Sequence, residues 1–231
     1  MQIIHDKEPL KKLVEQYGLQ QYVTKDLLEI GEIHLFSAGE YIAKEGKKTP
    51  YFYFLVRGES ISYSYSCTGK IHCESYMSGF GILGQAAALW DQPAFNDILA
   101  LTECVCVCIR TEQYREQLLE DNRFLRFITY WMAQHVRENA QRHNPLEVRM
   151  ARFILKVEKG GVFQFNLSQC ADILETSYRH LLRVLKQMCE AQLLQRRGNG
   201  YRILDRCGME ELSCGKLHLT GTDSGNEPES K

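Results

Sequence analysis

Apolar positions along the chain follow two different periods. Between Gly31 and Ile109 they come in short runs rich in Tyr, Phe, Val and Ile, punctuated by glycine: EYIAKEG, YFYFLVRG, SISYSYSCTG, IHCESYMSG and ILALTECVCVCI. Strands this short with turn signals between them predict an all-β barrel or roll. From Thr111 the spacing lengthens to three or four, and nothing breaks the chain until Pro145, so residues 112–142 predict one long helix. Its apolar positions lie on more than one face. Leu125, Ile128, Met132 and Val136 follow one another at three or four, and Phe124, Phe127 and Trp131 lie alongside. Two readings fit such a helix. Either it packs only on its own sheet, or it also meets a second copy, with Leu125, Ile128, Met132, Val136 and Asn139 at the seam.

After His143, Asn144 and Pro145 a second unit opens with the helical pattern LEVRMARFIL and a Gly-Gly turn. Two short helical patterns follow, joined at Glu175, Thr176 and Ser177, and then a strand, a Gly-Asn-Gly turn and another strand. This outline predicts a winged helix-turn-helix. Glu175 sits where such turns often hold a left-handed glycine, at some cost to a glutamate. Ser177 is a candidate N-cap whose helix would present free amides to a phosphate. In that helix Arg179, Arg183 and Lys186 share one face, while Leu181, Val184, Leu185 and Met188 share the other. A helix anchored by one face with cations on the opposite one suits a major groove, although the same pattern also describes a solvated amphipathic helix. The stretch from about Cys207, ending in GTDSGNEPESK, is polar and predicts a frayed tail. The expected divisions are 1–110, 111–144, 145–206 and 207–231, in an α+β chain.

Charge sharpens the picture because it is uneven. The chain carries a net charge of −1, yet residues 146–206 hold 11 Lys/Arg against 6 Asp/Glu, while 1–145 hold 15 against 18 and 207–231 hold 2 against 5. A basic segment within an acidic chain is the footprint of a DNA-contacting domain joined to a neutral one. No apolar run approaches the roughly 18 residues of a membrane span, and the opening MQIIHDKEPL lacks the order of a secretory signal, so a cytoplasmic protein with no membrane partner is expected. Its nine irregularly spaced cysteines are then expected to be reduced. An enzyme finds no support: there is no nucleophile–base spacing, no phosphate loop ahead of a helix and no paired-carboxylate motif.

Taken in order, these pieces resemble the cyclic-AMP receptor protein/FNR family of bacterial transcription regulators from about residue 25 to residue 205. The segment EYIAKEGKKTPYFYFLVRGESISYSYSCTGK resembles the opening of that family's roll, GILGQAAAL the start of its effector loop and MAQHV its dimer helix, while SYRHLLRVLK is most similar to the YeiL-type branch. The resemblance implies a cyclic-nucleotide-binding-like β-roll, a long dimerisation helix and a C-terminal winged helix-turn-helix. It also implies double-stranded DNA, RNA polymerase and a second copy of the chain as partners. DNA contacts would fall to Ser177, Tyr178, Arg179, His180, Arg183 and Lys186, with Arg196, Arg197 and Arg202 of the wing on phosphate. Aligned on Ser177, Arg183 keeps the family's second base-reading arginine, whereas Tyr178 and Arg179 replace its Arg-Glu. A donor thus stands where the family has an acceptor for cytosine, and a different operator is expected.

The effector pocket departs further. Family members hold the ribose with Gly-Glu and the cyclic phosphate with Arg-Ser or Arg-Thr. Here Gly84 is followed by Gln85, and the arginine region reads Ala94, Phe95, Asn96, Asp97, with no Lys or Arg between Lys70 and Arg110. A buried phosphate without a cation would cost several kcal/mol, about what an unpaired buried charge costs, so the pocket is degenerate, cyclic AMP is not expected and the effector is unknown. The family's oxygen sensors use N-terminal cysteines for an iron-sulfur cluster, and none here precedes Cys67. Cys104, Cys106 and Cys108 alternate along one strand, with Cys67 and Cys73 flanking a nearby turn, so that core packing and a metal or cluster site are the two readings; no cofactor is expected on the first. A redox- or metal-sensing regulator and a stand-alone effector-binding module without DNA binding remain the alternatives.

Overall fold

The computed structural model describes residues 1–65 and 71–219, and the chain divides into two compact units, residues 1–137 and 138–231. Cys67 and the end of the expected tail, from residue 220, lie outside the described residues.

The first unit begins with strand β1 (Gln2–Ile4), helix α1 (Lys7–Gln16), a 3-10 turn (Leu19–Tyr22) and helix α2 (Leu27–Ile30). Eight strands follow: β2 (Gly31–Phe36), β3 (Tyr41–Ala43), β4 (Tyr51–Arg57), β5 (Glu59–Tyr65), β6 (Ile71–Ser78), β7 (Gly81–Leu83), β8 (Asp97–Ala100) and β9 (Cys104–Arg110), with helix α3 (Gln85–Trp90) between β7 and β8. They form two antiparallel sheets, ordered β1-β2-β9-β4-β7 and β3-β8-β5-β6. The first sheet is covered on both faces, and β9 shows why its sequence alternates. Val105, Val107 and Ile109 join the core beneath the helices, with Phe52, Phe54 and Leu10, while Cys104, Cys106 and Cys108 join the core between the sheets, with Phe36, Tyr53 and Ile98. A strand with period two places its even and odd positions on opposite faces, and here both faces are apolar.

The expected single helix over 112–142 is two. Helix α4 (Thr111–Glu120) stops at Asp121, and α5 (Asn122–Ala140) begins immediately after it. Asp121 is extended (φ −82°, ψ 107°), and its carboxylate accepts from the amides of Arg123 and Phe124 at 2.9 and 3.4 Å and from Thr24 N and Oγ1 at 2.6 and 2.9 Å. An aspartate that caps the following helix, and is itself held by another segment, ends one helix where the spacing alone would continue it. Phe124 packs edge-on against Phe52 at 5.0 Å, so α5 is nailed to the first sheet at its start.

After a 3-10 turn (Gln141–His143), the second unit runs through α6 (Leu146–Val157), β10 (Val162–Phe163), α7 (Leu167–Ile173), α8 (Tyr178–Glu190), β11 (Leu194–Arg197), β12 (Gly200–Ile203) and α9 (Arg206–Ser213). The three strands pair in the order β10-β12-β11. Helix α9 corrects the expectation of a frayed tail from Cys207. Asp205 caps it by accepting from Gly208 N at 2.9 Å, Met209 and Leu212 are fully buried, and Arg152 of α6 donates from Nε to the Ser213 carbonyl at 2.6 Å. The segment is polar overall, but its two large apolar residues are three apart, enough to seat one face of two helical turns on α6.

Candidate nucleic-acid interface

Helix α8 is positioned from three sides. Ser177 caps it, its Oγ accepting from His180 N at 3.2 Å, and Leu181, Val184, Leu185 and Met188 are buried against the rest of the unit. Asn166 caps α7 through the amides of Ser168 and Gln169 at 2.9 and 3.1 Å, and Ala171 and Cys170 are buried between the helices. The joint between α7 and α8 turns on Glu175, whose φ of 46° is left-handed. The cost of that conformation stands beside two contacts: a 3.9 Å approach of its carboxylate to Arg142, and the charge of Arg149. Nothing in the sequence marks Arg149 beyond its place in a helix. Burial and Glu175 act on it in opposite senses, burial prevailing, and it donates to the carbonyls of Asn144 at 3.0 Å and Leu174 at 2.5 Å, tying α6 to the end of α7.

This packing leaves Tyr178, Arg179, Arg183 and Lys186 exposed, with His180 half-buried and its Nδ1 3.5 Å from Thr176 Oγ1. Lys186 pairs with Glu190 at 3.5 Å on the surface, an arrangement screened by solvent, whereas neither Arg179 nor Arg183 has a hydrogen bond or ion pair among the described residues. Two guanidiniums stand side by side on a rigid helix with all their donors unspent.

The wing divides its arginines. Gln195 pairs with Arg202, Arg196 with Tyr201 and Arg197 with Gly200, so Arg197 and Arg202 share one face of the hairpin and Arg196 lies on the other with Tyr201. Burial raises the Tyr201 phenol and Arg196, Cys189 and Tyr178 act on it electrostatically, which turns that face toward α8. The three positions named from the sequence are all exposed. They do not form one patch.

In the first unit, Gly84 is left-handed (φ 72°) and heads α3, a turn that glycine enters without strain. Gln85 leans out, its Nε2 4.0 Å from Met132 Sδ of α5. Phe95 is 64% exposed, Asn96 donates to Ser62 Oγ, and Asp97 accepts from Glu45 N at 2.7 Å. Two cations do approach α3 from other parts of the chain. Lys48 and Arg115 both end on Asp91, at 3.1 and 3.3 Å, and Arg115 also donates to the Ala88 carbonyl. Between the sheets, burial pushes the Cys104 thiol up to about 11 and those of Cys106 and Cys108 well above their ordinary value. All three side chains are fully buried and belong to the apolar core between the sheets. Among the described residues no three His, Cys, Asp or Glu side chains cluster as a metal site would require.

Helix α5 presents Leu125, Met132 and Val136 outward, the last two 40% and 64% exposed, and Tyr130 is exposed on another side of the helix; Ile128 is half-buried on its own core, and Asn139 is half-buried in the second unit. An open groove lined by Leu125, Arg126, Thr129, Tyr130 and Ala133 runs along the same helix.

Comparison with known proteins gives a consistent result for both units. Residues 33–121 match a cyclic nucleotide-binding domain and residues 148–212 a Crp-like helix-turn-helix domain. The chain is 29% identical over 183 residues to regulatory protein YeiL of Escherichia coli O157:H7, covering 77% of this chain and 84% of that protein. Similar solved structures include FixK2 of Bradyrhizobium japonicum (TM-score 0.68, 15% identity, 79% of this chain and 97% of that one). A CRP-family transcriptional regulator of Thermus thermophilus has a TM-score of 0.65 at 18% identity, over 80% and 99% of the two chains. No helix among the described residues is long and apolar enough to cross a membrane.

Proposed function

With the chain belonging to the cyclic-AMP receptor protein/FNR family of transcription regulators, we propose that it works as a homodimer on a two-fold DNA site and does so without cyclic AMP. The observation that carries the DNA reading is the pair Arg179 and Arg183, exposed and without a partner among the described residues, on a helix whose opposite face is fully anchored. An arginine so placed can bond O6 and N7 of one guanine together. Arg197 and Arg202 would lie along phosphates, and Tyr178, His180 and Lys186 would complete the helix contacts.

Dimerisation through α5 is supported by the outward column of Leu125, Met132 and Val136, which a second copy of the same column would cover about a two-fold axis. The absence of cyclic AMP from the mechanism is supported by the chemistry around α3. Gln85 offers no carboxylate to a ribose, Ala94 and Phe95 offer no cation to a phosphate, and the two nearby cations are already shared by Asp91. The packing reading of Cys104, Cys106 and Cys108 is supported by their full burial among Phe36, Tyr53, Leu55 and Ile98 between the sheets. RNA polymerase and a cytoplasmic location accompany the regulator reading.

Two variants test the division of labour on the recognition surface. In binding titrations across salt, Arg183→Ala should weaken the preferred site and relax preference at one base pair per half-site, costing about 1–3 kcal/mol of discrimination. Arg197→Ala should weaken all duplexes alike and lower the salt slope by about one unit for each phosphate that is no longer neutralised. If Arg183→Ala shifted only the salt slope, Arg183 would be a phosphate contact and base reading would pass to Arg179.

A further inference from the structure

Leu182 lies on α8 where its cationic face borders its buried face, one position from a residue of the same type with the opposite environment. Leu181 is fully buried, while Leu182 is 37% exposed. On the helix it stands one turn after Tyr178, itself 49% exposed, three residues after Arg179, beside Arg183, and one turn before Lys186. An outward leucine can be an accident of helix propensity, since leucine favours helices anywhere. Its place makes that reading insufficient. Of its neighbours three and four positions away, Arg179 and Lys186 are exposed cations, Tyr178 is an exposed aromatic and Leu185 is buried, so this apolar group flanks the arginines on the surface proposed to meet DNA and can neither donate nor accept.

We propose that Leu182 is a base-reading residue that packs on the C5 methyl group of a thymine in each half-site. The proposal rests on the DNA-binding reading above and adds a specificity to it. The major-groove edges of the bases present donors and acceptors at every position and one apolar group, the thymine methyl. A leucine delivered to that groove by the same rigid helix as Arg179 and Arg183 desolvates polar edges without replacing their hydrogen bonds unless it meets that methyl. The site then reads by two chemistries from one face: the arginines select guanine through paired acceptors, and Leu182 selects thymine through contact. The thymine belongs close to the guanines, because side chains one to three positions apart on a helix of 1.5 Å rise reach neighbouring base pairs.

The test needs no altered protein in its first arm. The duplex selected by the full chain from a random DNA pool is remade with deoxyuridine at each thymine in turn, which removes one methyl and keeps every hydrogen-bonding group. Burial of one such carbon contributes about 0.8 kcal/mol, so a single replacement at the contacted thymine should weaken binding about fourfold, and replacement in both half-sites about fifteenfold. Replacements elsewhere should have little effect. In the second arm Leu182→Ala should bind the thymine and deoxyuridine duplexes equally well, and Leu182→Met, which keeps an apolar reach, should retain most of the preference. The salt slope of Leu182→Ala should match that of the unaltered protein. Equal affinity of the unaltered protein for thymine and deoxyuridine at every position overturns the proposal, as does a thymine preference that survives intact in Leu182→Ala. Loss of affinity in Leu182→Ala without any deoxyuridine effect would assign the side chain to the sugar backbone and overturn it too. Each of these leaves the DNA-binding reading standing, whereas failure to retain any duplex overturns that reading and this one with it.

Discussion

Replacing Glu175 by glycine and by alanine separates the backbone of the helix-turn-helix joint from its side chain. At φ 46° the residue occupies the left-handed region, which costs an ordinary residue about 1–2 kcal/mol and glycine very little. Against that gain, glycine loses about 0.4–1 kcal/mol through the greater freedom of its unfolded chain. Both replacements discard the pairing with Arg142, a partly exposed approach at 3.9 Å worth about 0–1 kcal/mol. That term cancels in the comparison. Glu175→Gly is therefore expected to exceed Glu175→Ala in stability by about 0.5–1 kcal/mol, the net of the same two opposing effects. This reverses the order the two residues show in a helix. Urea unfolding of the intact chain by far-UV circular dichroism measures the difference, with hydrogen exchange of α7 and α8 amides assigning the transition to the second unit. An alanine variant as stable as the glycine one, or more so, would refute the claim that the joint stores backbone strain.

Met132→Glu should convert the dimer to monomer in sedimentation at micromolar concentration, because it brings two carboxylates together at the two-fold axis and removes an apolar contact; an unchanged dimer would displace the seam from this column. Calorimetry with cyclic AMP should show no binding at micromolar concentrations, and a micromolar dissociation constant would mean that Lys48 or Arg115 leaves Asp91 to meet the phosphate. Stability should fall on acidification below about 6.5. Burial outweighs the pull of Glu32 and holds His34 below that ordinary value, so the unfolded chain takes up a proton that the folded chain refuses, and stability present above 6.5 is lost as pH falls toward the folded value. The neighbouring Glu32 adds to the loss further down. Burial pushes its carboxyl up, but hydrogen bonds from His34 and Tyr51 and the charge of Arg110 outweigh this, so its share disappears only below its ordinary value of 4.5. His34→Gln should flatten the pH 5–7 part of the stability curve, and an unchanged slope would remove His34 as its source.

Legibility in the sequence followed how local each signal is. The cap at Ser177, the joint at Glu175 and the buried column from Leu181 to Met188 are settled within a few residues of chain, and all three were readable from spacing. The alternation in β9 was equally readable, since period two needs no partner to be seen. The break at Asp121 was not, because an Asp-Asn pair inside an apolar helical period is a weak stop, and what decides it is Thr24, nearly a hundred residues earlier. Helix α9 is hidden for a related reason: its apolar content is small, and only the surface of α6 gives Met209 and Leu212 somewhere to go. The wing shows a third limit. Three arginines are plain in the sequence, but which two share a face depends on a strand register that only the pairing of β11 with β12 fixes. In the effector region, the missing cation was visible as a gap in the sequence, while Lys48 and Arg115 approach α3 only once the chain is folded.

The central claim is that two copies of this chain place two copies of α8 on one DNA molecule. Selection of bound sequences from a random duplex pool by the purified full-length protein, followed by sequencing, tests it most directly. An inverted repeat should be recovered, its half-sites about 10 base pairs or one helical turn apart, with guanine at the position that Arg183→Ala relaxes. Recovery of a single unrepeated half-site, or of no enriched sequence, would contradict the account.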